Sequence, residues 1–437
     1  MRSSTRDRIR GVVAREAAPV VIGRVVKVSG LLVEVTLDGI RLGEQLEIID
    51  DDRSLLCEVV GFRDERVLAI PLGSMHGVRP GAPVRRCPAA NTVPVGTGLL
   101  GRVVDAFAQP IDGLGPIVCA AEQDLNTSAP TVHARAQVEL RFETGVRVID
   151  GMLTCGRGQR MGIFAGAGVG KSVLVEQIAR QSFADVIVVG LIGERGREVR
   201  ELLSSAVRES MVIVAATSDK SPMERVRGAK TATAIAEYFR DEGKNVLLVI
   251  DSVTRYAMAL REIGLSVGEP PATKGYPPSV FAELPRLLER VAPMKHGGSI
   301  TAFYTVLVEG DDLSDPVADS ARSLLDGHIV LSRDHASRGQ FPAVDILEST
   351  SRVSSQVTEE DVQGLTRRCR ELLATRKMVA DLQSLGAYVQ RSNPEYDQAL
   401  LLGKQIDRWA GQRPNERSDW ESTIGQMLAA MQPGAPS

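Results

Sequence analysis

Aromatic side chains are scarce in this 437-residue sequence, where nine Phe, six Tyr and two Trp make up 4% of the chain. Residues 1–90 contain a single aromatic, Phe62. Proteins that bind single-stranded nucleic acid stack bases on several aromatic rings. An excess of positive charge is also missing, because 52 Lys and Arg face 55 Asp and Glu. The composition therefore argues against nucleic-acid binding, either by base stacking or by bulk electrostatic attraction.

Paired cysteines and long apolar runs are missing as well. The five cysteines lie far apart without a CxxC pair, which predicts reduced thiols rather than disulfides or a zinc site, and the five histidines show no ligand spacing. No run of 18 apolar residues is present, and the first residues lack the apolar core of a signal peptide. We expect a cytoplasmic protein whose membrane contact, if any, is peripheral.

The length predicts more than one domain, and the hydrophobic patterns divide the chain into three. Residues 20–86 contain short alternating strands separated by Gly, Asp and Pro, which predicts a small six-stranded β-barrel over 19–90. From residue 91 to 355, continuous apolar runs alternate with helical patterns. Such runs are typical of parallel strands buried on both faces. They lie at 160–164, 186–191, 211–215, 246–251, 300–306 and 328–331.

Residues 356–437 are predicted to form a helical C-terminal domain. Thr358 with Asp361, and Ser418 with Glu421, have the spacing of capping boxes that open helices. Residues 1–18 carry five arginines, and a helix and a disordered tail fit them equally well. Residues 263–278 are rich in Gly and Pro, which predicts a long irregular loop.

A glycine-rich turn between the run 160–164 and a helical pattern at 173–181 is the strongest chemical signal. Strand, turn and helix form the context of a P-loop, whose backbone N–H groups converge on phosphate oxygens. Lys171 would neutralise the β- and γ-phosphates, and Ser172 would bind Mg²⁺. Alanine opens the motif in place of glycine, which is tolerable if that residue needs no positive φ. We predict that ATP and Mg²⁺ bind at Ala165, Gly166, Ala167, Gly168, Val169, Gly170, Lys171 and Ser172.

Two acidic residues follow other apolar runs. Asp251 ends the run 246–251, where the Mg²⁺ shell needs a carboxylate; the alternative is a helix cap. Glu194 follows the run 186–191, and a carboxylate there could orient a water in line with the γ-phosphate. From the residues alone, the charged stretch 193–198 fits a solvated helix start better than a catalytic site.

The ordered motifs of the chain resemble those of rotary-ATPase catalytic subunits, and above all the ATPases of flagellar and virulence-associated type III protein export. The likeness begins with VPVG at 93–96 and continues through the P-loop and GER at 193–195. One departure is Ala108, where the family usually has a glycine turn. The diagnostic stretches are TATAIAEYFR at 231–240, DSVTRYA at 251–257, REIGL at 261–265, GEPP at 268–271, GYPPSVF at 275–281, GDDLSD at 310–315 and DGHIVLSR at 326–333.

The resemblance implies roles for individual residues. Glu194 matches the catalytic glutamate, and Phe341 matches the aromatic that stacks on adenine; the alternative for Phe341 is a core side chain. Arg352 matches the arginine supplied across a subunit interface to the neighbour's nucleotide, with a surface arginine as the alternative. Arg195 and Arg197 are further candidates for phosphate contact. Asp251 and Ser172 would complete the metal site.

The resemblance also implies an architecture and a function. It implies a RecA-like α/β core in a homohexameric ring, with the loop 263–278 facing the central channel or packed on the surface. The tail 1–18 would bind a stator-like regulator and touch the inner membrane peripherally, a central stalk would enter the ring, and the C-terminal domain would receive export chaperones and substrates. ATP hydrolysis would release chaperones and unfold substrates, with the flagellar system slightly favoured.

Three alternatives remain open at the level of sequence. A rotary ATP synthase catalytic-type subunit shares the core, although TATAIAEYFR and GYPPSVF argue against it. An RNA helicase of the transcription-terminator type also carries a barrel before a RecA-like core, but Phe62 alone offers no stacking surface for RNA. The non-enzyme alternative is a scaffold that binds nucleotide without hydrolysis.

Overall fold

The computed structural model of the chain describes residues 22–50, 53–87, 91–205, 209–308, 310 and 312–432. The predicted tail 1–18 lies outside these residues. The chain forms two compact units. The first comprises the described residues up to Asn91 together with Glu262–Pro270, and the second comprises Thr92–Arg261 and the described residues from Pro271 onward.

The first unit contains a closed, antiparallel barrel whose six strands follow the order β1-β2-β5-β4-β3-β6. Alternate residues such as Val33, Val35, Leu46 and Ile48 fill its interior, as the period of two along a strand requires. The predicted six-stranded barrel is confirmed. Its strands are β1 Ile22–Ser29, β2 Leu32–Thr36, β3 Gln45–Asp50, β4 Arg53–Arg63, β5 Arg66–Pro71 and β6 Pro83–Cys87.

The second unit is built on an eight-stranded sheet of order β18-β17-β12-β16-β15-β13-β14-β8, parallel except for the antiparallel β18. All six predicted apolar runs are strands of this sheet. Two further pairs, β7 with β9 and β10 with β11, form separate two-stranded sheets. The strands of the second unit are β7 Thr92–Val95, β8 Val103–Val104, β9 Ala121–Asp124, β10 Arg141–Phe142, β11 Cys155–Gly156, β12 Arg160–Ala165, β13 Val186–Ile192, β14 Met211–Ala216, β15 Asn245–Asp251, β16 Ser299–Leu307, β17 Gly327–Leu331 and β18 Val344–Ser351.

Helices flank this sheet and form the C-terminal part of the chain. Trp409 and Met427 from the last two helices belong to the same hydrophobic core as Ile149 and Leu174 beneath the sheet. The helices are α1 Arg147–Met152, α2 Lys171–Gln181, α3 Gly196–Ser205, α4 Pro222–Asp241, α5 Val253–Ser266, α6 Pro278–Leu288, α7 Pro316–Leu324, α8 Arg333–Ser337, α9 Ser354–Val357, α10 Glu360–Ser384, α11 Pro394–Ala410 and α12 Trp420–Ala430, with 3₁₀ turns at Thr97–Leu99 and Thr273–Gly275.

Within the described residues, no helix combines the length and apolar character needed to cross a bilayer. The predicted loop 263–278 is shorter than expected, because α5 continues to Ser266 and a 3₁₀ turn covers Thr273–Gly275.

The two predicted capping boxes are wrong. Helix α10 begins after Glu359, and the Thr358 hydroxyl donates to the Ser354 carbonyl at 2.7 Å instead of capping it. Helix α12 is capped by Asp419, which accepts from the Ser422 N–H at 2.8 Å. In both cases a neighbouring residue takes the N-cap position and leaves the predicted hydroxyl to another partner.

Residues 143–150 form a turn that is held by one buried carboxylate. Asp150 is 1% exposed, and its Oδ1 accepts from the N–H of Thr144 at 2.8 Å and from its hydroxyl at 2.7 Å. Its Oδ2 accepts from the Gly145 N–H at 2.9 Å, and Gly145 has a φ of 78°. One buried carboxylate thus fixes the turn that leads into α1.

Asp150→Asn should lower the free energy of unfolding by about 1–3 kcal/mol, because an amide offers one acceptor oxygen to two groups of buried donors and leaves one unpaired. Urea unfolding followed by circular dichroism measures the change. The exposed Asp381→Asn is the control and should shift stability by less than about 0.5 kcal/mol. Equal stability of the Asp150→Asn and control proteins would show that the turn does not depend on this carboxylate.

Candidate nucleotide-binding site

The P-loop connects the end of β12 at Ala165 to the start of α2 at Lys171. Gly168 and Gly170 adopt positive φ values of 79° and 94°, conformations that favour glycine. Ala165 is the buried last residue of its strand and does not have a positive φ, so alanine fits the first position of the motif. The turn therefore leads into a helix N-terminus of the kind that binds phosphate.

Lys171 lies at the centre of a buried ion-pair cluster. It is 8% exposed, and its ammonium contacts Asp251 Oδ1 and lies 3.3 Å from Glu194 Oε1. Asp251 ends β15 and Glu194 follows β13, and these two parallel strands are neighbours. Carboxyl ends of adjacent parallel strands meet at one edge of a sheet, which is where such folds bind ligands. Sequence positions 171, 194 and 251 are thereby brought together.

Opposing effects act on the titration of this cluster. Burial lowers the pKa of Lys171, but the charges of Asp251 and Glu194 raise it, and the net shift is upward. Burial and the charge of Asp251 raise the pKa of Glu194, the charge of Lys171 lowers it, and the net result is a pKa of about 7.

The burial of Glu194 rules out the solvated helix start for this residue. Glu194 is 8% exposed, whereas Arg195, Gly196 and Arg197 are exposed at the start of α3. The solvated helix start predicted from the residues alone therefore describes the arginines and not the glutamate.

A cleft of about 860 Å³ opens in front of the P-loop, a size suited to a nucleotide. Glu194, Arg195 and Arg197 line it together with the P-loop. It is also lined by polar and charged side chains that the sequence analysis did not assign to the site. These are Thr254, Arg255, Arg261, Lys274, Tyr276, Asp315 and Arg333.

A second cavity of about 210 Å³ shares several residues with this cleft, and Ser172, Glu194 and Asp251 line it together. Hydroxyl and carboxylate oxygens are the ligands that Mg²⁺ prefers, alongside substrate phosphates. Among the described residues no cluster of three or more His, Cys, Asp or Glu side chains could hold a metal alone. The donor set fits a metal that is completed by phosphate oxygens.

Phe341 lies beside the P-loop. Its ring carbons come within 3.3 Å of the place where a Cβ on Gly170 would stand, and the side chain is 43% exposed. The alternative of a core phenylalanine is therefore wrong, and an open aromatic face is available next to the phosphate-binding turn.

Arg352 follows β18 and does not line the cleft of its own chain. Its backbone N–H donates to the Asp326 carbonyl at 3.0 Å, and its side chain makes a long contact of 3.5 Å to the Arg322 carbonyl. The guanidinium is thus held at the surface by weak contacts, away from the P-loop of the same subunit.

Two signals for the missed residues are visible in retrospect. Arg255 belongs to the DSVTRYA stretch. Lys274 and Tyr276 belong to the Gly- and Pro-rich segment 263–278, and both line the cleft. Tyr276 is 6% exposed, and the centroid of its ring lies 5.3 Å from the Cζ atom of the Arg261 guanidinium.

Three successive parts of the chain match domains of related ATPase families. Residues 25–88 match the β-barrel domain of the ATP synthase alpha/beta family, and residues 145–351 match its nucleotide-binding domain. Residues 358–429 match the C-terminal domain of the T3SS EscN ATPase. The Flagellum-specific ATP synthase of Salmonella typhimurium is 47% identical over 418 residues, which cover 92% of each chain.

The chain belongs to the family of flagellum-specific and type 3 secretion ATPases. A Type 3 secretion system ATPase of Sinorhizobium fredii is 46% identical over 93% of the chain and 92% of that protein. The assembled ATPase EscN of enteropathogenic E. coli matches with a TM-score of 0.89 at 42% identity, covering 94% of the chain and all of EscN. The family and the RecA-like α/β fold with barrel and helical domain predicted from the sequence are confirmed.

The raised pKa of Glu194 predicts the pH profile of this ATPase. As the base that the family resemblance implies, Glu194 would have to be ionised to orient a water, so kcat/KM for ATP, which reports groups of the free enzyme, should rise with pH through about 7. Glu198 raises the pKa of Glu194 through a hydrogen bond and its charge. Glu198→Gln should therefore move the acidic limb to lower pH.

The exposed Glu421→Gln serves as the control for this profile and should leave the limb in place. An acidic limb that stays at the same pH in Glu198→Gln would contradict the assignment to Glu194.

Proposed function

We propose that the chain hydrolyses MgATP and that hydrolysis is coupled to protein export through a type III apparatus. The buried contact of Lys171 with Asp251 and Glu194 at the end of a P-loop carries this proposal. Three groups that phosphoryl transfer requires, a cation for phosphate, a carboxylate for the metal shell and a carboxylate for the water, form one buried ion-pair cluster.

Phosphate binding would exchange the partners of Lys171. The backbone N–H groups of the P-loop and the start of α2 attract an anion, and the Lys171 ammonium can turn from Asp251 to the β- and γ-phosphates. Ser172 and Asp251 would then hold Mg²⁺, which when bound would neutralise charge on the phosphate oxygens. Phe341 would stack on the base, and Arg195 would add a further phosphate contact.

Glu194 would orient the attacking water. Its carboxylate is buried beside Asp251, and it loses the contact with Lys171 when that side chain moves to the phosphates. The freed oxygen can then accept a hydrogen bond from a water in line with the γ-phosphate.

Glu194→Gln should bind ATP within a few-fold of wild type and lose turnover by about 10²-fold or more, because the amide keeps the shape and loses the acceptor charge. Binding of a fluorescent ATP analogue and phosphate release by the purified, concentrated protein measure the two properties. Normal phosphate release by Glu194→Gln would remove Glu194 from the mechanism. Binding without release in the wild type would favour the scaffold alternative.

Arg352 would act on the nucleotide of the neighbouring subunit in a homohexameric ring. Its position outside its own cleft supports this role, and so does the solved assembly of EscN. A guanidinium aimed at the developing charge on the γ-phosphate contributes about 10³–10⁵ in rate. Supplying it in trans would make hydrolysis depend on assembly.

Mixing variants tests this geometry. Lys171→Ala and Arg352→Ala proteins should each be nearly inactive, while their mixture should regain part of the wild-type rate, because some interfaces then combine an intact P-loop with an intact arginine. Steady-state phosphate release across mixing ratios is the measurement. A mixture that stays inactive although mixed oligomers form would show that Arg352 acts within its own subunit.

The proposed partners rest on likeness to the same family. EscN has been solved with its central stalk EscO, which supports a stalk protein in the ring of this chain. We further propose a stator-like regulator at the tail 1–18, export chaperones and substrates at the C-terminal helices, and a location at the cytoplasmic face of the inner membrane. Relatives from flagellar and secretion systems are equally similar, so both systems remain candidates.

A further inference from the structure

A buried threonine contacts the metal-binding carboxylate from the neighbouring strand. Thr305 lies in β16 and is 0% exposed, and its hydroxyl donates to Asp251 Oδ1 at 2.5 Å. The pairing of β15 with β16 places Ile250 opposite Tyr304, so Asp251 and Thr305 are the next facing pair at the carboxyl edge of the sheet. The strand register thus fixes their distance.

Asp251 Oδ1 therefore has two partners of different kinds. The first is the Lys171 ammonium, which belongs to the flexible end of a long side chain at the start of α2. The second is the Thr305 hydroxyl, which is carried by a short, stiff β-branched side chain inside the sheet. Both act on the same oxygen, so neither contact uses Oδ2, and Asp251 lines a cavity together with Ser172.

We propose that Thr305 is a positioning residue that holds Asp251 in place when Lys171 transfers to the nucleotide phosphates. The inference rests on the proposed function, because it requires that transfer. Without the hydroxyl, the buried carboxylate of Asp251 would lose this fixed donor when Lys171 leaves it, and it would be less well oriented to hold Mg²⁺. Partners that orient a metal ligand typically contribute 10- to 100-fold in metal affinity or activity.

Thr305→Val removes the hydroxyl at constant shape, and Thr305→Ser restores it. We expect Thr305→Val to need about 10-fold more Mg²⁺ for half-maximal phosphate release and to lose most of the Mg²⁺-dependent gain in affinity for a fluorescent ATP analogue. Binding of the analogue in EDTA should stay within twofold of wild type, because the P-loop is unchanged. Thr305→Ser should lie close to wild type in both measurements.

Thr301→Val is the matched control. Thr301 is a buried threonine of the same strand, 1% exposed, and its hydroxyl accepts from the Gly158 N–H at 3.0 Å, away from the carboxyl edge. This variant should lose stability and keep the wild-type Mg²⁺ dependence.

The outcomes separate this inference from the function on which it rests. If Thr305→Val hydrolyses ATP at the wild-type rate and with the wild-type Mg²⁺ dependence, the role of Thr305 is overturned and the proposed function stands. The same holds if Thr305→Ser is as impaired as Thr305→Val, since packing and not the hydroxyl would then be responsible. A wild-type protein that neither binds nor hydrolyses ATP overturns the proposed function and this inference together.

Discussion

The ammonium of Lys171 is the group on which the nucleotide site depends. It is 8% exposed and is shared by Asp251 and Glu194. A buried charge left without a partner destabilises a protein by several kcal/mol, so the lysine and the two carboxylates hold one another in place. Phosphate can take over the role of the carboxylates, and in the proposed mechanism this exchange releases Asp251 for the metal and Glu194 for the attacking water.

The order of the parallel strands makes this arrangement possible. Strands β12, β16, β15 and β13 are consecutive neighbours in the sheet, and they deliver the P-loop, Thr305, Asp251 and Glu194 to one edge. Regular strand spacing of about 4.8 Å brings side chains from four distant segments within contact of one another. Arg352 is placed elsewhere on the same unit, which supports a site completed only by a second subunit.

Features that depend on neighbouring residues in the sequence could largely be predicted, and features that depend on distant residues could not. Continuous apolar runs identified the central strands, because burial on both faces requires no partner to be known. The role of Glu194 stayed ambiguous because its sequence neighbours are charged and exposed, whereas its partner Lys171 is 23 residues away in the sequence. Thr305 gave no signal, because threonine is ordinary in a strand and its partner is 54 residues distant. The helix starts at Thr358 and Ser418 were wrong because adjacent residues compete for the N-cap.

A crystal structure with a non-hydrolysable ATP analogue and Mg²⁺ tests the partner exchange most directly. The account predicts that Lys171 Nζ lies within hydrogen-bonding distance of phosphate oxygens and has left Asp251, while Thr305 keeps its contact with that carboxylate. Lys171 still paired with Asp251 beside a bound triphosphate would contradict it.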